Sequence, residues 1–111
     1  MVTDQIITVT SGKTAHFLNT NNIQYCLSSG NYTEIVLVDG KRFTSSKSLK
    51  QVEALLSDDN FIRIHNMALI NLDHVKHYST DKETVVVMSD GKELPVARRR
   101  KKDFFDRFTH L

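Results

Sequence analysis

Two Asp-Gly pairs, Asp39-Gly40 and Asp90-Gly91, constrain this chain more than any other feature. Each follows a run rich in branched and aromatic residues, 32–38 and 84–88, and each precedes a shorter run, 42–44 and 93–96. Asp-Gly between such runs is a two-residue hairpin signal, because the turn needs a positive φ that glycine adopts at little steric cost. Beyond each return strand the apolar spacing becomes helical. Leu49, Val52, Leu55 and Leu56 share one helical face after the first hairpin, and Phe104, Phe105, Phe108 and Leu111 after the second. The chain thus reads as a hairpin feeding a short helix, used twice. The two segments share few identities, so this is a common supersecondary pattern and not evidence of duplication.

The remaining segments fit the same class. Strands are expected over 6–10, 14–18, 23–27 and 75–78, with helices over about 46–57 and 98–109. Ser45 or Ser46 is the expected N-cap of the first helix, and Ser57, Asp58, Asp59 and Asn60 its stop. Pro95, the only proline, suggests an edge position for the last strand. Between the two repeats lies F-I-R-I-H-N-M-A-L-I-N-L, residues 61–72. It holds two apolar runs with a polar His65-Asn66 between them. The fold class is mainly β with two short helices.

At 111 residues the chain has room for one domain with a modest core, expected over 1–111. No apolar run approaches the roughly 20 residues that span a bilayer. The first ten residues lack the basic and long apolar regions of a signal peptide. Cys26, the single cysteine, excludes an intrachain disulfide and any multi-cysteine metal site. An intracellular, cytoplasmic protein is expected. No phosphate-binding glycine loop or nucleophile elbow is present. His65, His74 and His77 lack the helical spacing and the completing carboxylate of a metal set. Asp58, Asp59, Asp103 and Asp106 read as helix-end and helix-surface charges. No enzyme activity, cofactor or metal is expected.

Charge is more informative. Arg98, Arg99, Arg100, Lys101 and Lys102 are consecutive, and without them the net charge of +2 becomes −3. So local a cationic site points to a local anion, most often phosphate, with nucleic acid ahead of an anionic membrane. At a helix start the macrodipole disfavours these cations until an anion binds. The plainer reading is a solvated basic helix face. Asn66 can read a base edge and His65 can touch phosphate. Alternatively His65 is a structural histidine bonded to backbone and Asn66 a turn residue with positive φ. The loop of Ser28, Ser29, Gly30, Asn31, Tyr32 and Thr33 could enter a groove, or be an ordinary surface loop.

Together these residues resemble the LytTR (LytR/AgrA-type) family of DNA-binding domains. F-I-R-I-H-N-M-A-L-I-N-L is similar to the family's F-x-R-x-H-[RN]-S-x-x-[VI]-N block. L-P-V-A-R-R, residues 94–99, is similar to its L-P-V-S-R block, and S-S-G-N-Y to the loop before its Y-x-x-[IV] strand. The resemblance covers about residues 22–108. It implies an elongated sandwich of short antiparallel strands and a DNA-binding domain that reads sequence through loops. It also implies a place in a transcriptional response regulator of a two-component phosphorelay, behind a receiver domain that is absent from residues 1–111. By this resemblance Asn66 and Arg98 match DNA-contact positions and Thr33 lies near another. Met67 and Ala97 stand where the family usually has serine, which removes two hydroxyls.

The resulting expectation is that the 28–33 loop, the His65-Asn66 turn and the basic run converge on one face. Arg98, Asn66 and Thr33 are assigned to bases. His65, Asn31, Arg99, Arg100, Lys101 and Lys102 are assigned to the DNA backbone or to support, with two or three of the last four reaching phosphates. The partner is double-stranded DNA, bound at repeated half-sites with a possible homodimer on DNA, and no membrane. The alternative is a regulatory protein-interaction module that uses the basic run to bind an acidic partner. The two differ in whether Arg98 and Asn66 share a face.

Overall fold

The computed structural model describes residues 5–56 and 60–111. Among these residues ten strands and two α-helices follow one another as β1 (Ile6–Ser11), β2 (Thr14–Asn19), β3 (Ile23–Ser29), β4 (Tyr32–Leu37), β5 (Arg42–Ser45), α1 (Leu49–Leu55), β6 (Phe61–His65), β7 (Ala68–Asn71), β8 (Val75–Ser79), β9 (Val85–Met88), β10 (Glu93–Pro95) and α2 (Lys101–Phe105). All paired strands are antiparallel. They form a central sheet in the order β5-β4-β3-β7-β6, a three-stranded sheet β10-β9-β8 and the hairpin β1-β2. The molecule measures 46 × 35 × 24 Å, the elongated, mainly β form expected.

The central sheet is covered on both faces, which explains its nearly continuous apolar strands. Side chains alternate along a strand. Ile23, Cys26, Ile35, Leu37 and Leu69 face one way and pack with Val9 and Leu18 of β1-β2 and with Leu49, Val52 and Leu56 around α1. Tyr25, Val36, Ile62, Ile64, Ala68 and Ile70 face the other way, against Val86, Met88, Leu94, Val96 and Phe104. Two-sided burial leaves β7 with no exposed residue.

Both Asp-Gly turns form. Gly40 and Gly91 take φ of +90° and +91°. Asp90 is also tied to the sheet, accepting from the Tyr25 hydroxyl at 2.8 Å and donating its N–H to Gln24 Oε1 at 2.9 Å. Pro95 lies on β10, an edge strand, as expected.

The helices differ from expectation in detail. α1 starts at Leu49, and its N-cap is Ser48, not Ser45 or Ser46. The Ser48 hydroxyl accepts from the Gln51 N–H while the Gln51 side chain accepts from the Ser48 N–H, a reciprocal capping box. Of the expected stripe Leu55 is exposed, because at 100° per residue it falls far from the line through Leu49, Val52 and Leu56. The expected stop at Ser57, Asp58 and Asp59 lies outside the described residues. The second helix is much shorter than 98–109. Arg98–Arg100 form a 3₁₀ turn and only Lys101–Phe105 are α-helical. Phe104 is buried, and Phe105 and Phe108 are half-buried against Tyr78, with ring centroids 5.3–5.8 Å from it. Leu111 is exposed and outside this core.

Candidate nucleic-acid interface

The β3-β4 turn and the β6-β7 turn project from the same end of the central sheet. Their neighbouring strands pair with Leu27 opposite Ala68, and the Ser28 N–H donates to Met67 O at 3.0 Å. The first turn carries Gly30 and Asn31, the second Asn66 and Met67. Asn66 is exposed and does not have positive φ, so backbone strain does not account for an asparagine there.

The β6-β7 turn is held by three side chains. Arg63 spans it from within: Nε donates to His65 O at 2.8 Å and Nη2 to Asn66 O at 2.6 Å. Its Nη1 pairs with Glu53 of α1 at 2.8 Å. The Arg63 side chain is only 12% exposed, which limits solvent competition for these charge-assisted bonds. His65 Nδ1 accepts from the Met67 N–H at 3.2 Å. In the neutral ring that acceptor role puts the proton on Nε2, which stays a donor. His65 is therefore bonded to backbone, as the plainer reading expected, without losing its outer nitrogen. Arg99 reaches the turn from outside, its Nη2 donating to Asn66 Oδ1 at 2.8 Å.

The basic run reaches this turn because β10 ends beside β6. The Ala97 N–H donates to Ile64 O at 2.7 Å, so Arg98 begins next to His65. Arg98, Lys101, His65, Lys82 and Glu83 line one open cavity of about 300 Å³ with Pro95, Val96 and Ala97. A second, of about 290 Å³, joins Ser28, His65 and Met67 to Lys92 and Glu93. His65 thus borders the cavity that Arg98 lines, and Asn66 follows it in the β6-β7 turn, within reach of Arg99.

Successive residues of a 3₁₀ turn point about 120° apart. Arg98 faces the His65 cavity and Arg99 faces Asn66. Arg100 turns into a different cleft, with Glu53, Arg63, Asp103, Asp106 and Arg107, and its Nε is buried. Lys102 is exposed and paired with Asp106 at 2.7 Å, a contact that raises its pKa. Arg100 as a phosphate contact is therefore withdrawn. So is the helix-start argument for phosphate, since α2 has five residues and the Lys101 N–H at its start already donates to Arg98 O.

Thr33 also requires correction. Its side chain has no exposed surface, and its hydroxyl donates to Lys47 O at 2.8 Å, tying β4 to the segment before α1. A residue sealed in this way cannot touch a base without unfolding its strand end. Asn31, two residues earlier, is exposed at the turn.

Lys82 escaped sequence reasoning, and so did the staple role of Arg63. Lys82 comes from the β8-β9 connection, which strand pairing returns to the end of β10. Arg63 stood in the sequence beside His65, but its role as a staple depends on Glu53 ten residues earlier, on another element. Elsewhere, His74 Nε2 is 2.7 Å from Asn21 O, and no described cluster of three or more His, Cys, Asp or Glu could hold a metal. No described helix is long and apolar enough to cross a membrane.

Comparison with known proteins gives this face a context. A solved LytTr DNA-binding domain from Bacillus cereus, assigned to a methyl-accepting/DNA response regulator, superposes with a TM-score of 0.80 at 22% identity. The match covers 92% of this chain and 94% of that one, and establishes the shared fold. The sensory transduction protein LytT of Bacillus subtilis is 26% identical over 94 residues, 83% of this chain; the match spans only 39% of the relative's length. The family model described as the LytTr DNA-binding domain matches residues 13–109, nearly the whole chain. That family is one of DNA-binding domains and not of enzymes. The chain belongs to the LytTr DNA-binding domain family.

Proposed function

We propose that this chain is the sequence-reading part of a bacterial transcriptional response regulator, and that it binds double-stranded DNA through the end of the sheet where the Asn66 turn and the basic run meet. The observation that carries this reading is the pair of bonds joining the basic run to the β6-β7 turn: Ala97 to Ile64 O, and Arg99 to Asn66. They bring a potential base reader and the cationic run to one surface. An interaction module for an acidic protein would need the charge but not an amide held among the arginines. Arg98 reads guanine through O6 and N7 in this scheme, and Asn66 reads a second base edge. Lys101, Lys82 and the Nε2 of His65 hold phosphates, with Asn31 at the margin. A receiver domain upstream in the longer protein, paired binding at repeated half-sites and a cytoplasmic location complete the proposal.

The test is a binding titration of Arg98→Ala on the selected site and on scrambled DNA. The expected loss is about 1–3 kcal/mol on the selected site and less on scrambled DNA. Equal losses on both would make Arg98 a phosphate contact and remove its reading role.

A further inference from the structure

Both oxygens of Asn66 are engaged by arginines. The main-chain oxygen accepts from Arg63 and the side-chain Oδ1 from Arg99. A guanidinium has N–H donors and no acceptor, so the amide atom that faces Arg99 must be the oxygen. The amide flip that is ordinarily ambiguous is thus settled by chemistry, and Nδ2 points away from Arg99. Arg63 fixes the peptide while Arg99 fixes the amide plane, the two freedoms a turn asparagine would otherwise sample. Arg99 is itself anchored, since the Ala97 N–H two residues before it is bonded to Ile64 O of β6.

We propose that Arg99 is a positioning residue for base reading and not a phosphate contact: it presents Asn66 to DNA as a hydrogen-bond donor. This rests on the reading above that Asn66 faces DNA. The consequence is a specific preference. In the major groove guanine, adenine and thymine each offer an acceptor, and cytosine offers only its amino donor. An asparagine held with Nδ2 outward therefore accepts three bases and rejects cytosine at the position it reads. Without Arg99 the amide can turn its oxygen outward, and cytosine becomes acceptable.

The experiment selects bound duplexes from random DNA with the unaltered protein, Asn66→Ala, Arg99→Ala and Arg99→Lys, and measures the salt dependence of each. Arg99 is exposed, and thermal melts of the variants verify folding. Asn66→Ala is expected to flatten one position from which cytosine is excluded. Arg99→Ala is expected to raise cytosine at that same position about fivefold or more, with an unchanged salt slope. Arg99→Lys, which keeps a donor for Oδ1, is expected to restore part of the exclusion. The proposal is overturned if Arg99→Ala retains the exclusion, or if its salt slope falls by about 0.9, the signature of one lost phosphate. If Asn66→Ala changes no position, the reading of Asn66 itself fails and this inference falls with it. The two failures differ in whether the Asn66→Ala effect is seen.

Discussion

Asn66 and Thr33 are both short polar residues beside hairpin turns, and burial separates their roles. Asn66 is exposed and gripped by two arginines, whereas Thr33 is sealed and holds Lys47 O. Thr33→Val is accordingly expected to lower stability by about 1 kcal/mol while leaving base preference unchanged, measured by urea unfolding and DNA selection. A loss of base preference without destabilisation would restore Thr33 to the interface. Cys26 gives a second residue-level prediction. It is fully buried, and desolvation pushes its thiol up to about 12. Burial keeps the thiol protonated in the folded state, so its contribution to stability is intact below about pH 9 and declines as pH rises from there towards 12. Urea midpoints between pH 8 and 10.5 should fall more steeply for the unaltered protein than for Cys26→Ala, by roughly 1–2 kcal/mol in unfolding free energy. Parallel decline in both proteins would contradict this account of Cys26.

At the scale of elements, most of the sequence signal was local and survived. Asp-Gly turns, branched strands and the 61–72 block depend on neighbours in the chain, so residues 61–72 could be read as two short strands around a polar turn. Helix ends were less legible. Ser45, Ser46 and Ser48 are chemically alike, and only Ser48 has Gln51 at the spacing of a capping box. The basic run suggested a longer helix because Phe104, Phe105 and Phe108 suit one. Yet the segment begins as a 3₁₀ turn and its last ring packs beyond the helix. The approach of the basic run to the His65-Asn66 turn was expected, through the resemblance, but the individual long-range bonds were not legible: Arg99 and Asn66 are 33 positions apart and meet because β10 ends beside β6. Ser48→Ala should cost about 1 kcal/mol in stability without altering DNA specificity, as urea unfolding and titration would show. Glu53→Gln weakens the anchor of Arg63 and should relax base preference more than it lowers non-specific affinity. Equal effects on both would mean that the Glu53–Arg63 pair does not order the turn.

For the whole molecule, the two-sided core suits the proposed reading of DNA by loops. The central sheet is packed on both faces, so the turns at its end are extensions of rigid strands, and their side chains project from a surface that packing cannot easily deform. The net charge of +2 is too small to attract DNA in bulk, so the proposed interface rests its affinity on the few cations at that end. The most direct measurement is a selection of bound duplexes from random DNA, followed by titration of the selected and scrambled sites with the unaltered protein and with the Asn66→Ala/Arg98→Ala double variant. The account predicts a defined selected sequence that the unaltered protein prefers strongly, and a double variant that still binds DNA but scarcely distinguishes the two. A double variant that keeps the full preference would show that sequence is read elsewhere on the molecule and would contradict the account.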